Sequence, residues 1–319
     1  MQEPLVSVLI PVYNHEKYVQ DTINSIIKQT HKNIELIVLD DGSKDSSFEK
    51  IKELKEKCEK RFVNIHIGTK ENEGMCATLN KMLDFSNGKY IYIIASDDLS
   101  KPDAIEKEVL FLENNPDYSL VVGDNEIIDG DSKRCYWDKK RKLVYDAKKA
   151  HFRTFVEYLK SFYNNFNDKD FGTYRTLYRD NYIPNGYLIR KSIYDIIGKY
   201  PKNVVEDWWF MLQLSKYSKM KYLNEVLFSY RWHNSNTIKN SEKMNVLRKN
   251  AIIWEEKFIE NTDKSKFSPE IVNVMENGVI WTNHGVPNLF EIVKLRKNLD
   301  IIKQIKIFGI NVFEQKYKM

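Results

Sequence analysis

The stretch KYIYIIASDDLSKPD, residues 89–103, joins an apolar run of strand length to two neighbouring carboxylates and then to a proline. A strand buried on both faces holds no unpaired carboxylate, so we expect Asp97 and Asp98 at its exposed carboxyl end. Ligands bind at that edge in open α/β sheets, and paired acids suit a divalent cation, which in turn binds phosphates. The competing interpretation is that one acid only caps a helix beginning near Pro102. Because two acids stand together, we favour a ligand site.

The composition is that of an ordinary folded protein rich in tyrosine, phenylalanine and lysine. A chain of 319 residues suits one large domain with an extension, or two domains. The cysteines, Cys58, Cys76 and Cys135, match neither a disulfide framework nor a metal knuckle, so we expect the reducing cytoplasm. The first residues do not resemble a signal peptide, and no stretch is long and apolar enough to span a bilayer.

Two earlier apolar strands also end in polar residues. Residues 5–12 lead into Tyr13 and Asn14, and residues 34–39 lead into Asp40 and Asp41. Helical periodicity separates the predicted strands at residues 16–29, 47–60 and 74–85, and another strand is predicted at residues 63–67. This alternation predicts an α/β fold with a parallel sheet and right-handed crossovers. The polar strand ends should therefore converge on one crevice.

Two common nucleotide-binding motifs do not occur in the sequence. No G-x-G-x-x-G follows the first strand, which argues against a nicotinamide or flavin dinucleotide. No G-x-x-x-x-G-K-[ST] occurs either, which argues against a phosphate-loop ATPase. The acidic strand ends suit a nucleotide that is held through a metal.

A set of short motifs resembles the successive signatures of the inverting family-2 glycosyltransferases with the GT-A fold, over residues 5–235. The motifs are Ile10-Pro11-Val12-Tyr13-Asn14, Val38-Leu39-Asp40-Asp41-Gly42-Ser43, Asn72-Glu73-Gly74, Ser96-Asp97-Asp98 and Glu206-Asp207-Trp208. The resemblance implies a Rossmann-like, mostly parallel central sheet flanked by helices. It implies a GT-A domain over residues 1–240, with a nucleotide-sugar half at about 1–123 and an acceptor half at about 124–240.

The resemblance also implies roles for individual residues. The nucleotide-sugar site would include Pro11, Val12, Tyr13, Asn14, Asp40, Asp41, Asn72, Asp97 and Arg231. Asp40 would accept a hydrogen bond from the base, and Asp97 would contact the ribose. Asp98 would coordinate Mg²⁺ or Mn²⁺ on the donor diphosphate, with His233 approaching the same metal. One position departs from the family, because many relatives carry arginine where this chain has Leu79, and this leaves the donor identity open.

The motif Glu206-Asp207-Trp208-Trp209 is predicted to begin a helix. In the family the position of Asp207 carries the catalytic base, and Glu206, Trp208 and Trp209 would lie on the acceptor side. The competing interpretation is that the acids only cap the helix and interact with its dipole, and that the tryptophans belong to the core. Residues 226–230 are predicted to form an edge strand just before Arg231 and His233.

Residues 133–153 are strongly basic, and aromatic side chains then recur at helical spacing from Phe152 to Phe162. A solvated loop followed by an ordinary amphipathic helix explains this pattern. The alternative is an acceptor-side lid whose rings stack on sugars and whose cations meet a phosphate.

Residues 241–319 are predicted to form a helical extension. From Lys294 onward this segment has seven cations and two acids, a net charge of +5. Leu295, Leu299, Ile302, Ile305, Phe308 and Val312 lie along one stripe of such a helix. A basic amphipathic helix can lie on the inner face of the cytoplasmic membrane, or can dock on its own domain or on a second subunit. No recognised nucleic-acid module occurs, so nucleic acid is not an expected partner.

The sequence therefore predicts a metal-dependent inverting hexosyl- or deoxyhexosyltransferase. It would move a sugar from a nucleoside diphosphate, with UDP favoured over GDP and dTDP, to a glycan or a lipid-linked saccharide. The family resemblance and the basic tail favour a role in cell-surface polysaccharide synthesis, such as O-antigen, capsule or lipooligosaccharide. One alternative is a nucleotide-sugar-binding scaffold without activity. A nucleotidyltransferase is disfavoured, because Pro11 to Asn14 do not form a basic, glycine-rich phosphate loop.

Overall fold

A computed structural model describes residues 3–282, 290–297, 300–307 and 310–318 of the chain. Contacts divide the chain into two compact units. The first unit comprises Met1–Gly172, Tyr182–Lys202 and Tyr217–Asn236, and the second comprises Thr173–Asn181, Asn203–Lys216 and Thr237–Met319. The predicted functional division at residue 240 stays a prediction.

Strands and helices alternate through the first half of the chain, as the periodicity predicts. The strands are β1 (Val6–Val12), β2 (Ile34–Asp40), β3 (Asn64–Thr69), β4 (Tyr90–Ile93), β5 (Leu99–Ser100), β6 (Tyr118–Ile128), β7 (Arg134–Trp137), β8 (Leu143–Val144), β9 (Tyr187–Arg190), β10 (Lys219–Arg231), β11 (Val279–Thr282), β12 (Phe290–Lys297), β13 (Asp300–Ile307) and β14 (Ile310–Lys318). The α-helices are α1 (Val19–Ile27), α2 (Ser47–Lys52), α3 (Lys55–Arg61), α4 (Met75–Phe85), α5 (Ala104–Asn114), α6 (Phe155–Lys160), α7 (Tyr174–Arg179), α8 (Tyr194–Ile197), α9 (Glu206–Leu214), α10 (Ser241–Asn261) and α11 (Pro269–Asn277).

The central sheet of the first unit has the strand order β3-β2-β1-β4-β9-β6-β10-β5. Strands β1 to β4 are mutually parallel, and β6 is parallel to β10. The antiparallel β9 joins these two parallel groups. Every residue of β1 and of β2 is buried, which explains their nearly continuous apolar sequences. The predicted α/β fold with a mostly parallel central sheet is confirmed.

The parallel register brings the carboxyl ends of three strands to one edge of the sheet. Val12 at the end of β1 pairs with Asp40 at the end of β2. Leu9 pairs with Ile93, the last residue of β4, four residues before Asp97. The predicted convergence of the polar strand ends therefore follows from the register.

Two local predictions for the first unit are wrong. The helix expected over residues 47–60 is divided into α2 and α3, with Glu53 and Leu54 between them. Residues 226–230 do not form an edge strand, because they lie in the long β10, which pairs with β6 on one side and with β5 on the other.

The basic segment after residue 133 is partly ordered into a hairpin. Strands β7 and β8 pair antiparallel around the turn at residues 138–142. Phe152 is joined by a backbone bridge to Trp137, and only residues 155–160 form a helix. Trp137, Phe152, Ile127 and Cys135 form a buried cluster against which Phe155, Tyr158, Tyr230 and Trp232 pack. Several of the aromatic residues expected on one face of an amphipathic helix thus pack in an aromatic core.

The second unit has a buried polar centre on helices α7, α9 and α10. The Lys216 ammonium pairs with the Glu255 carboxylate at 2.8 Å. Glu255 also accepts hydrogen bonds from the Tyr174 hydroxyl at 2.6 Å and from the Gln213 amide at 2.7 Å. The Lys216 ammonium lies 3.6 Å from the centre of the Phe258 ring. These contacts compensate for the burial of two charges.

The prediction of a helical extension over residues 241–319 is only partly correct. Helices α10 and α11 occupy residues 241–261 and 269–277, but β11 to β14 then form a four-stranded antiparallel sheet. The predicted basic amphipathic helix from Lys294 is therefore wrong. The abundant isoleucine and valine of these residues favour strands, and each strand pairs with its neighbour in the chain. Leu299 and Phe308 of the predicted stripe lie outside the described residues.

In the part of the chain that the structure describes, no helix has both the length and the apolar character needed to cross a membrane.

Candidate functional site

Asp40 presents a buried acceptor at the end of β2. Its Oδ2 accepts hydrogen bonds from the Thr69 hydroxyl at 2.8 Å and from the Ser43 amide at 3.2 Å. Its Oδ1 is buried and has no hydrogen-bond partner among the described residues. A buried carboxylate oxygen without a partner is costly, so a ligand N–H donor at this position would satisfy it.

Asp41 holds the loop that carries Asn72. Its carboxylate accepts hydrogen bonds from the backbone amides of Glu73 at 3.0 Å and Gly74 at 2.9 Å, and it pairs with the buried Lys70 ammonium. The described contacts of this carboxylate therefore all fix the loop, while Asn72 itself is exposed.

The segment after β1 is anchored to the segment after β2. Asn14 has a positive φ of 54°, its amide donates to the Ser43 hydroxyl, and its side-chain oxygen accepts from the Lys44 amide. Pro11 and Val12 are buried in the strand, whereas the Tyr13 ring is 47% exposed. Of the four residues predicted here, Tyr13 and Asn14 are thus the two that offer exposed surface to a ligand.

His15, Asp97 and His233 bring three metal-ligating groups together. One ligand atom from each lies within 4.8 Å of the other two. The Nε2 atom of His233 lies 2.9 Å from Asp97 Oδ2, and that of His15 lies 3.8 Å from the same oxygen. The Nδ1 atoms of His15 and His233 are each 2.8 Å from a serine hydroxyl, of Ser96 and Ser235 respectively. Such a second hydrogen bond orients an imidazole toward a metal.

The predicted metal pair Asp98 and His233 is not the pair that the structure brings together. Asp98 is buried, and its Oδ1 accepts a hydrogen bond of 2.8 Å from the backbone amide of Arg231. The group near His233 is the carboxylate of Asp97, which had been expected to contact the ribose. Two adjacent residues in a turn point in different directions, so the strand-end pattern alone did not distinguish them.

The Arg231 guanidinium is fully engaged by the protein. It is 0% exposed and donates to the carbonyl oxygens of Asp97, Asp129 and Gly130, to the Ser132 hydroxyl and to the Asp21 carboxylate. Its side chain also covers the Tyr18 ring. This environment contradicts the predicted direct contact of Arg231 with the donor, because each nitrogen of its guanidinium already donates to a protein oxygen.

The two neighbouring acids differ in their tendency to ionise. Burial opposes ionisation of Asp97, but its hydrogen bond to His233 and the nearby His15 outweigh burial and lower the pKa of its carboxyl. Burial, followed by the charge of Asp97, raises the pKa of Asp98 well above its ordinary value. Burial also lowers the pKa of His15, which favours the neutral imidazole that binds metals.

Sequence reasoning missed His15 and Asp21. His15 directly follows the first strand-end motif, and a histidine at that place has the right chemistry for a ligand, which is a signal that could have been used. Asp21 lies on α1 and meets Arg231, 210 positions away, which no local pattern predicts.

Asp207 lies in the second unit, in the first turn of α9. Its carboxylate accepts from the Trp208 amide and, at 3.0 Å, from the Asn181 side-chain amide. Burial raises the pKa of Asp207 despite these hydrogen bonds. Burial, followed by the charge of Asp207, raises the pKa of Glu206 to about 7. A raised pKa makes a carboxylate a stronger proton acceptor.

Trp208 and Trp209 both belong to the core of the second unit. They are 2% and 1% exposed, the Trp208 indole donates to the Leu177 carbonyl, and Trp209 packs edge-on against Trp254. The expectation that these two rings lie on the acceptor side is therefore wrong, since neither ring has an open face.

Comparison with protein families gives a match over more than half of this chain. Residues 7–183 match the family model described as Glycosyl transferase family 2. A glycosyltransferase of Haemophilus influenzae is 32% identical over 235 residues, which are 73% of this chain and 67% of the relative. The Bacillus subtilis protein TuaG, named for teichuronic acid biosynthesis, is 33% identical over 133 residues. This match covers 40% of the chain and only 52% of TuaG, so the chain spans about half the length of that relative.

Solved structures show the same fold at low sequence identity. S. aureus TarS in complex with UDP-GlcNAc is 16% identical with a TM-score of 0.59, over 84% of this chain and 71% of that one. The mannosyltransferase PcManGT of Pyrobaculum calidifontis, in complex with GDP-Man and Mn²⁺, is 14% identical with a TM-score of 0.60, over 86% and 69%. The predicted GT-A fold is thereby confirmed. From the family match and this fold, the chain belongs to glycosyl transferase family 2.

Proposed function

We propose that this chain is a metal-dependent inverting glycosyltransferase. It moves a sugar from a nucleoside diphosphate donor to a hydroxyl of a glycan or a lipid-linked saccharide, in the assembly of a cell-surface polysaccharide. The name of TuaG supports the polysaccharide role. The nucleotide sugars in the titles of the TarS and PcManGT structures support the donor class.

One observation carries the proposal. The unpartnered buried oxygen of Asp40 lies at the carboxyl end of β2. The metal donors His15, Asp97 and His233 come soon after β1, β4 and β10, whose carboxyl ends lie at the same edge of the sheet. Asp40 Oδ1 is suited to accept a hydrogen bond from a base N–H, and the exposed Tyr13 ring is suited to stack on the base. The metal donors are suited to hold the diphosphate through a cation.

The donor set fits a transition metal better than magnesium. Two imidazole nitrogens and one carboxylate oxygen are ligands that Mn²⁺ accepts, whereas Mg²⁺ prefers oxygen ligands alone. When bound, the cation would offset the charge that develops on the departing diphosphate. Arg231 would act as a positioning residue, because it fixes the backbone of both Asp97 and Asp98.

Asp207 is the proposed general base. Its raised pKa and its orientation by Asn181 and the Trp208 amide suit a carboxylate that removes a proton from the attacking hydroxyl. That hydroxyl would attack the anomeric carbon on the face opposite the diphosphate, through a transition state like an oxocarbenium ion. The bond to the diphosphate breaks as the new glycosidic bond forms, which inverts the anomeric centre.

The experiment is to measure nucleoside diphosphate release from UDP-, GDP- and dTDP-sugars with Mn²⁺, and to determine the anomeric configuration of the product by NMR. Asp207→Asn should lower the rate by about 10²–10⁴-fold, because the amide cannot accept the proton, while nucleotide-sugar binding is unchanged. Glu270→Gln, which removes an exposed acid from the first turn of α11, is the matched control and should leave the rate unchanged.

Three results would reject parts of the proposal. Near-normal turnover in Asp207→Asn would remove that residue from the role of base. Retention of the anomeric configuration would reject the inverting mechanism. Binding of nucleotide sugars by the unaltered chain without any release of diphosphate would favour the non-catalytic binding protein.

A further inference from the structure

The turn between β7 and β8 presents a rigid basic tip. Its residues 138–142 are Asp-Lys-Lys-Arg-Lys. The Asp138 carboxylate accepts from the amides of Lys140 and Lys142 at 2.7 and 2.9 Å, and the Arg141 amide donates to the Asp138 carbonyl. These bonds fix the backbone of the turn from within, with Arg141 at a positive φ of 59°.

The Arg141 guanidinium lies over a group of aromatic rings, which we call the aromatic box. The box consists of Trp137, Tyr158 and Trp232, whose ring centres lie 6.0, 5.1 and 5.2 Å from the guanidinium carbon. Trp137 packs edge-on against both of the other rings, at 4.9 Å from Trp232 and 5.5 Å from Tyr158. Stacking on several rings restricts the rotamers of the side chain and orients its planar group.

Arg141 differs from the other arginines of the first unit that are not exposed. Arg61 donates to four backbone carbonyls, Arg190 donates to two carbonyls and a tyrosine hydroxyl, and Arg231 is fully engaged. Arg134 pairs with Glu126. Within the described ranges, the guanidinium of the half-buried Arg141 has neither a hydrogen-bond acceptor nor an acidic partner. A guanidinium that is held in one orientation and has no acidic partner is suited to bind an anion.

The position of the aromatic box relates it to the transfer site. Trp232 directly precedes His233 of the proposed metal donor set, and both Trp232 and Tyr158 are half-buried. Half-buried rings expose apolar surface on which the face of a sugar can pack. A guanidinium binds carboxylate or phosphate oxygens through two parallel hydrogen bonds. Arg141, Trp232 and Tyr158 have no role in the mechanism proposed above.

We propose that Arg141 and the aromatic box form a subsite for an acidic sugar of the acceptor, a sugar that carries a carboxylate or a phosphate. The sugar ring packs against Trp232 and Tyr158, and the acidic group takes two hydrogen bonds from Arg141. The assignment of this ligand to the acceptor rests on the proposed transferase function. The binding of an acidic sugar is a property of the first unit that can be measured without turnover.

The test is a ligand-observed NMR titration of the full chain with methyl β-D-glucuronide, glucose 6-phosphate, methyl β-D-glucoside and inorganic phosphate. At least one acidic sugar should bind about tenfold more tightly than the neutral glucoside, because it alone can pair with the guanidinium. Arg141→Gln should remove this preference. Arg141→Lys, which keeps the charge but loses the planar fork, should remove most of it. Lys140→Gln, with the same loss of charge on the same turn, should keep the preference within about twofold.

Four results would overturn the proposal. These are equal binding of acidic and neutral sugars, an unchanged preference in Arg141→Gln, an equal loss in Lys140→Gln, and inorganic phosphate binding as tightly as the acidic sugars. A thermal-shift measurement with nucleotide sugars and Mn²⁺ separates this result from the transferase proposal. Arg141→Gln should keep the thermal shift of the unaltered chain, which also shows that the variant is folded. If the unaltered chain shows no thermal shift, the proposed nucleotide-sugar site is rejected. The sugar titration then still tests whether Arg141 and the aromatic box bind an acidic sugar.

Discussion

Asp97 and Asp98 are neighbours in the sequence with different chemical environments. Asp97 lies between two imidazoles at the edge of the sheet, whereas Asp98 is buried and accepts the amide of Arg231. The first arrangement suits a metal ligand, and the second ties the turn to the end of β10. Their different environments lead to opposite predictions for the same chemical change.

Asp97→Asn should weaken Mn²⁺ binding by about 10–100-fold, since an amide oxygen is neutral and a poor ligand for this cation. Asp98→Asn should keep Mn²⁺ binding within about threefold, because the amide oxygen can still accept the Arg231 hydrogen bond. Isothermal titration with Mn²⁺ measures both, and Asp84→Asn, an exposed acid on α4, is the control. The reverse order of effects would restore Asp98 as the ligand.

At the scale of elements, the entry to β9 depends on a close approach to β10. Gly186 has a φ of 78°, and a Cβ atom there would lie 2.1 Å from the Phe228 ring. Phe228 is buried in the main core of the first unit and cannot move aside easily. Glycine is therefore required at position 186 both by the positive φ of the backbone and by the close packing of Phe228.

Gly186→Ala should lower the free energy of unfolding by about 2–4 kcal/mol, from the left-handed backbone and the clash together. Gly198→Ala is the matched control, because Gly198 has a φ of 77° but no atom within 4 Å of the added Cβ. It should cost only about 1–2 kcal/mol, the backbone contribution. Urea denaturation followed by circular dichroism gives both values. Equal losses of unfolding free energy in the two variants would show that the clash with Phe228 does not contribute to the destabilisation.

At the scale of the whole molecule, the interiors of the two units differ in their chemistry. The first unit has a large apolar core around its sheet. The second has the Lys216–Glu255 pair among its helices. Burial lowers the pKa of Lys216 to about 8, although Glu255 opposes that shift. A lysine whose pKa is lower when folded costs stability below the folded pKa, and the cost disappears as pH rises toward the unfolded value of about 10.4.

Glu255→Gln should lower the free energy of unfolding of the second unit by about 3–5 kcal/mol at neutral pH, because Lys216 loses its counter-charge. The loss should shrink as the pH rises toward about 8, where Lys216 of the unaltered chain becomes neutral, because Lys216 of the variant lacks Glu255 and loses its proton at a lower pH. Urea denaturation at pH values of about 7 and 9 checks both statements. Glu260→Gln, at an exposed position of α10, is the control. A loss that stays constant with pH would contradict the assigned role of the Lys216 charge.

Much of the fold was predictable because its signals are local. The apolar runs of β1, β2 and β4 and the helical periodicity between them require only short-range patterns, and they imply a parallel sheet. The strands β12 to β14 were mistaken for a helix because isoleucines mixed with lysines fit either periodicity. Pairing with neighbouring strands determines that these residues form strands and not a helix, and such pairing is not a local property.

The sequence by itself determined the α/β fold, the family and the edge of the sheet where the acidic residues gather, since these follow from local periodicity and strand direction. Only the tertiary structure decided which acid meets the histidines, that Arg231 is buried, and that Arg141 lies over three aromatic rings. Those contacts join residues far apart in the chain, such as Asp98 and Arg231 at a separation of 133 positions. Side-chain direction at such contacts depends on the packing of the whole unit, which no short stretch of sequence encodes.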